Sequence, residues 1–246
     1  MKICIIGHPR TRSSHLMEIL SFYHGIPIIG EDLNEHCSKL SDKSWVRTAS
    51  PDDLPDRYVS NYTNILTKNK RISTGIIRLH PTQISLMPAA GTVFDFNMFN
   101  FTQYDKIYIT TRNNILEMIS SYVVSTTLKK FTYKSQDELY KNIQPITIGA
   151  RDYYCIKILM YSELILKHLK EYFQKHNIEY TELDYDTIPN YLETHFPNIH
   201  TTHVETNYDY ESIVTNYIKI PELCEEFKDS IHAAFYQANP QLKENK

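Results

Sequence analysis

Arginines and hydroxyls crowd the start of this chain. The apolar run Ile3 to Ile6 ends at Gly7 and is followed by His8-Pro9-Arg10-Thr11-Arg12-Ser13-Ser14, after which an apolar helical pattern begins at Leu16. A guanidinium presents a fixed fork of donors that matches the oxygens of carboxylate and phosphate groups. Hydroxyls add neutral donors, and a helix N-terminus adds backbone N–H groups and a partial positive charge. The chemistry expected of Arg10, Thr11, Arg12, Ser13 and Ser14 is therefore capture of a phosphate-like anion. Further polar groups sit at the ends of later apolar runs: Arg78 and His80, Arg112, and Asp184-Tyr185-Asp186. An imidazole such as His80 has the right intrinsic basicity to take a proton near neutral pH. Glu31, in Gly30-Glu31-Asp32, is the rival carboxylate base.

These residues need elements to hold them. Strands are expected at Lys2–Ile6, Pro27–Ile29, Gly75–Leu79, Lys106–Thr110 and Glu179–Leu183, the second carrying the weakest pattern. They are short, apolar or β-branched and bounded by polar residues, as buried parallel strands are. Helical spacing runs through Ser13–His24, Asn114–Lys129 and Asp152–His176, with another helix over Glu222–Ala238 after Pro221. Gly25 is placed to end the first helix. Alternating strands and helices predict a three-layer α/β/α, P-loop-like domain with a central parallel sheet of about five strands. Ligands of such sheets bind beyond the carboxyl ends of the strands, where the chemistry-bearing residues fall. One domain over 1–246 is expected, with a donor-binding core over about 1–190 and a C-terminal helical cap over about 191–246.

Composition removes several classes. Net charge is −3, which argues against a nucleic-acid-wrapping protein. Cys4, Cys37, Cys155 and Cys224 are scattered, with no C-x-x-C pair, which speaks for a reducing compartment and against a zinc site. The first apolar run is too short for a signal peptide, and no window approaches a membrane span. A cytoplasmic protein without membrane or nucleic-acid partners is the expectation; oligomeric state is not readable. His200 and His203 have no cysteine nearby and read as loop histidines. Trp45 reads as a loop packing residue. Phe94, Phe96, Phe99 and Phe101 partly alternate, as half-buried structure does, or line an acceptor pocket.

A nucleotide triphosphatase loop has the pattern G-x-x-x-x-G-K-[ST], and here Arg12-Ser13-Ser14 stands where Gly-Lys-Ser/Thr would be. The loop instead resembles the 5′-phosphosulfate loop of sulfotransferases that use 3′-phosphoadenosine 5′-phosphosulfate (PAPS), P-[KR]-[ST]-G-[ST]-[ST]. Pro9-Arg10-Thr11-Arg12-Ser13-Ser14 departs from it at the fourth place, where Arg12 replaces Gly; if that place needs a positive φ, Arg12 is strained. The family's 3′-phosphate motif, a strand ending in Arg with Ser eight residues on, is similar to Arg112 and Ser120 here. Arg78-Leu79-His80 looks like the family's K-x-H element, and Leu183-Asp184-Tyr185-Asp186 like its Y-E-D-L element. The C-terminal R-K-G element of cytosolic members has no counterpart, so the chain looks closer to the bacterial-type and tyrosylprotein-type branches.

The resemblance implies metal-free, in-line transfer of a sulfonyl group from PAPS to a hydroxyl-bearing acceptor: a glycan, a small metabolite or a peptidyl tyrosine. It implies that Arg10 relieves charge on the leaving phosphate and that Arg12, Ser13 and Ser14 cradle the 5′-phosphosulfate with Thr11. Arg112 and Ser120 would hold the 3′-phosphate, Arg78 would steady the sulfonate, Tyr185 would border the adenine, and His80 or Glu31 would be the base. Two rivals stand beside this reading: a P-loop kinase or nucleotide hydrolase, and a phosphoadenosine-nucleotide-binding module without turnover.

Overall fold

The computed structural model describes residues 1–8, 10–30, 74–81, 96, 99–128, 145–199 and 210–243. Strands β1 (Lys2–Gly7), β2 (Ile28–Gly30), β3 (Gly75–Leu79), β4 (Lys106–Thr111) and β5 (Thr181–Asp184) form one sheet in the order β2-β3-β1-β4-β5. Every pairing is parallel, with Ile5 opposite Arg78 on one side of β1 and opposite Tyr108 on the other. The expected parallel α/β architecture is thus present, with strand limits that move by a residue or two. The larger shift is at β5, which starts at Thr181 rather than Glu179.

Both faces of the sheet are buried, as the apolar runs require. Alternate residues of β1 serve opposite layers. Ile3 and Ile5, with Ile76 and Tyr108, pack under α1 (Ser13–His24); Leu183 of β5 and residues near the C-terminal strand end join them. Cys4 and Ile6, with Ile77, Leu79, Ile107 and Ile109, pack under α2 (Ile115–Leu128) and α3 (Ala150–Lys175). After β5 the chain adds α4 (Ile188–His195) to the first layer, then the short α5 (Tyr210–Ile213) and α6 (Lys219–Ala238). Helix α6 lies along α3 and joins the second layer through Leu223, Phe227, Ile231 and Phe235. Of the segment expected as a C-terminal helical cap, α6 thus packs on the helices α3 and α2.

Local chemistry explains the helix limits. Gly25 ends α1 at φ +61°, in the left-handed conformation that glycine adopts without a Cβ penalty. Asp152 in the first turn of α3 accepts a hydrogen bond from the Gly149 N–H, which starts that helix two residues before the expected Asp152. Helix α6 begins at Lys219 rather than after Pro221, because proline is tolerated in a first turn whose N–H groups lack intrahelical partners. Phe96 and Phe101 are buried against Tyr172 and Phe173 of α3, and Phe99 against Phe101, so these three are core and not pocket lining. Phe94, Trp45, His200 and His203 lie outside the described residues.

Candidate functional site

The β1–α1 connection is fixed by a close approach of two strands. A Cβ on Gly7 would stand 2.0 Å from Thr110 Oγ1 and 2.7 Å from Thr110 O, so only glycine fits there. Thr11 Oγ1 donates to His8 O at 2.8 Å and lies 2.8 Å from Thr110 Oγ1. With its single proton committed to the carbonyl, Thr11 accepts from Thr110. Both threonines are fully buried. The loop is thus pinned to β4, and Thr11 is a structural tie of the loop.

Two arginines follow in the left-handed region, Arg10 at φ 69° and Arg12 at φ 56°. For residues other than glycine this conformation costs about 1–2 kcal/mol each. Arg12 caps α1 with no side-chain hydrogen bond to the helix, so its guanidinium is directed elsewhere. The glycine place of the resembled loop does carry a positive φ, and here an arginine bears it.

Two guanidiniums, one from the β1–α1 loop and one from the end of β4, meet on Tyr185. Arg12 lies over the Tyr185 ring at 4.0 Å and donates from Nη1 to Tyr185 O at 3.0 Å. Arg112 lies over the same ring at 4.1 Å. Tyr185 is held there by the ends of two strands: its N–H donates to Thr111 O at 2.8 Å. Asp184 tightens the same turn, accepting from Asn113 N at 2.8 Å and Asp186 N at 3.1 Å. Arg10 Nε donates to Ser121 Oγ at 2.8 Å. Tyr210 shares a hydrogen bond with Ser121 and feels the charges of Arg112 and Arg10, although burial is the larger influence and raises its phenol's pKa. Arg112 also forms an ion pair with Glu117 at 2.6 Å.

Ser120 is not part of this group. It is fully buried, and its Oγ donates to Leu116 O at 2.7 Å inside α2. The serine that meets an arginine is its neighbour Ser121, turned about 100° around the helix. Tyr185, expected to border the adenine, has two guanidiniums over its ring.

The end of β3 makes a second group. Arg78 is buried and donates from Nη1 to Ser14 Oγ at 2.7 Å, linking β3 to the first turn of α1; Ser13 beside it is also buried. His80 Nδ1 lies 3.2 Å from Gly7 O, and its Nε2 lies 3.3 Å from Arg78 Nη2. A carbonyl only accepts and a guanidinium only donates, so Nδ1 carries the proton and the Nε2 lone pair points at Arg78. Burial, then the charge of Arg78, pushes the His80 imidazole down to about 3. This arrangement lowers the basicity of His80 below the neutral range expected of it and turns its lone pair toward Arg78. Glu31 lies outside the described residues. Beside this group, His8 is buried with its Nε2 2.6 Å from Glu163 Oε1 of α3. His8, Glu163, Ser121 and Tyr210 escaped the sequence reading, since only the fold brings them to the strand ends.

Among the described residues, no group of three or more His, Cys, Asp or Glu side chains is placed to hold a metal ion, and no helix is long and apolar enough to cross a membrane. No family model matches the chain, and no curated protein matches it.

Proposed function

We propose that the chain is a sulfotransferase that binds PAPS across the ends of β1 and β4 and transfers its sulfonyl group to a hydroxyl acceptor without a metal. The observation that carries this reading is the meeting of Arg12 and Arg112 on one tyrosine ring. The first belongs to the loop assigned to the 5′ end of the donor and the second to the strand assigned to its 3′ end, a hundred residues apart. A nucleotide carrying an anion at each end is the ligand such an arrangement suits. Arg10, fixed by Ser121, is the guanidinium for the leaving phosphate. As the acceptor oxygen bonds to sulfur it gives its proton to a base, for which Glu31 is the candidate carboxylate, and the bridging S–O bond breaks with its electron pair left on the phosphate, where a fixed cation lowers the barrier. Arg78, with Ser14, steadies the sulfonate from β3. Scattered cysteines accord with work in the cytoplasm.

A second reading draws support from His80. With its lone pair on Arg78, the described site offers no ready base at this histidine. That arrangement favours a module that binds phosphoadenosine nucleotides without turning them over. Calorimetric titration with 3′-phosphoadenosine 5′-phosphate, beside ATP with magnesium, tests the binding claim common to both readings. Metal-free binding of the former, lost in Arg112→Ala, is expected; binding of ATP–magnesium alone would overturn both. Assay of PAPS turnover against phenolic, sugar and tyrosyl-peptide hydroxyls then separates the enzyme from the module.

A further inference from the structure

Arg112 already holds an anion, supplied by its own chain. Its Nη2 donates to Glu117 Oε2 at 2.6 Å. The partners are unequally placed, with the arginine side chain 9% exposed and the glutamate 46% exposed. Helix α2 presents the carboxylate in its first turn, where Glu117 N donates to Asn114 Oδ1 at 3.2 Å and the positive end of the helix favours a negative charge. The buried member is the one the ring of Tyr185 and the strand end fix in place. The exposed member is the one that can leave.

We propose that Glu117 is a built-in competitor for the anion that binds Arg112, and so sets the affinity for the group that reaches it. The inference rests on the reading of Arg112 as an anion-binding residue. A ligand phosphate must displace the carboxylate before it pairs with the guanidinium. Apparent affinity is then the intrinsic affinity multiplied by the fraction of molecules whose Arg112 is released. The penalty is the same for every ligand that uses Arg112 and absent for ligands that do not. Glu117 therefore acts on the 3′-phosphate end of a nucleotide and leaves the 5′ end untouched.

The test is calorimetric titration of wild type, Glu117→Gln and Arg112→Ala with three probes: 3′-phosphoadenosine 5′-phosphate, adenosine 5′-phosphate, and inorganic phosphate. Glu193→Gln, an exposed change on α4, controls for the loss of one negative charge. For a partly exposed ion pair, Glu117→Gln is expected to tighten the doubly phosphorylated nucleotide by about 3- to 5-fold. Adenosine 5′-phosphate affinity should stay the same, and Glu193→Gln should change neither. Unchanged or weaker binding of the doubly phosphorylated nucleotide in Glu117→Gln, with its loss in Arg112→Ala retained, overturns the competitor and leaves the proposed function standing. Where wild type binds no nucleotide, the proposed function falls and the phosphate titration decides: a gain in Glu117→Gln that Arg112→Ala abolishes supports the competitor, and no gain overturns it.

Discussion

The carboxyl ends of β1 and β4 and the carboxyl end of β3 use arginine in opposite ways. At β1 and β4, Arg10, Arg12 and Arg112 contact a serine hydroxyl, a tyrosine ring and its carbonyl, and one half-exposed carboxylate. At β3, Arg78 is buried against Ser14 and against the lone pair of its own neighbour, His80. The first region holds its cations against partners that an incoming anion can replace, as the proposed function requires. The second ties the sheet to α1 and holds an imidazole neutral. Identical side chains therefore divide into a grip and a brace according to what the fold sets beside them.

Breaking the frame under the grip should have the largest effect. Gly7→Ala sets a methyl group against Thr110, 2.0 Å from its hydroxyl, and neither β4 nor the loop can yield without losing the Thr11 tie. A loss of about 3 kcal/mol of stability is expected in urea unfolding, with the anion site lost alongside. Next in size, Arg112→Ala should weaken 3′-phosphoadenosine 5′-phosphate by a hundredfold or so while changing the melting temperature little, because a charge-assisted pair contributes about 3 kcal/mol. Arg12→Gly sharpens the distinction between strain and grip. Removing the side chain from a residue at φ 56° relieves left-handed strain while adding unfolded-state freedom, so stability should stay within about 1 kcal/mol. Nucleotide affinity should nonetheless fall about tenfold, because the contacts to Tyr185 go with the side chain.

The brace has a pH signature of smaller size. His80 in the fold has its pKa lowered to about 3, well below the ordinary value of 6.5. Between these values the unfolded chain binds the extra proton and the folded chain does not, so stability rises with pH across that window. The contribution is complete above pH 6.5 and is lost as pH falls toward 3. In His80→Gln the slope of stability against pH should flatten in this range by up to about 1.4 kcal/mol per pH unit. An unchanged slope would mean that the imidazole is not held neutral in the fold.

Much of the frame was legible in the sequence because it depends on local pattern. Helix α1 runs over the expected Ser13–His24, since its apolar spacing and Gly25 agree, and β3 runs over the expected Gly75–Leu79. The arginines at the strand ends were legible too, because a strand terminus in a parallel sheet fixes a residue's place. Pairings across the chain were not. Nothing in sequence marks Glu163 as the partner of His8, or Tyr210 as a neighbour of Ser121. Ser120 and Ser121 differ by one residue and point in different directions, and spacing alone selected the one whose hydroxyl turns back on its own helix. The partner of His80 was illegible for a related reason. Intrinsic basicity belongs to the residue type, whereas the lone pair's partner belongs to the fold. Helix α4 escaped because Pro189 in so short a segment reads as a turn until it is seen in a first helical turn.

The most direct test of a single donor site spanning β1 and β4 is a double-mutant cycle on Arg12 and Arg112, read as calorimetric affinity for 3′-phosphoadenosine 5′-phosphate without metal. Two arginines that share one ring and one ligand should be coupled, so Arg12→Ala and Arg112→Ala should each weaken binding, and the double variant should depart from the sum by about 1 kcal/mol or more. Additive effects, or full affinity in Arg12→Ala, would mean that the loop and the strand end do not serve one ligand.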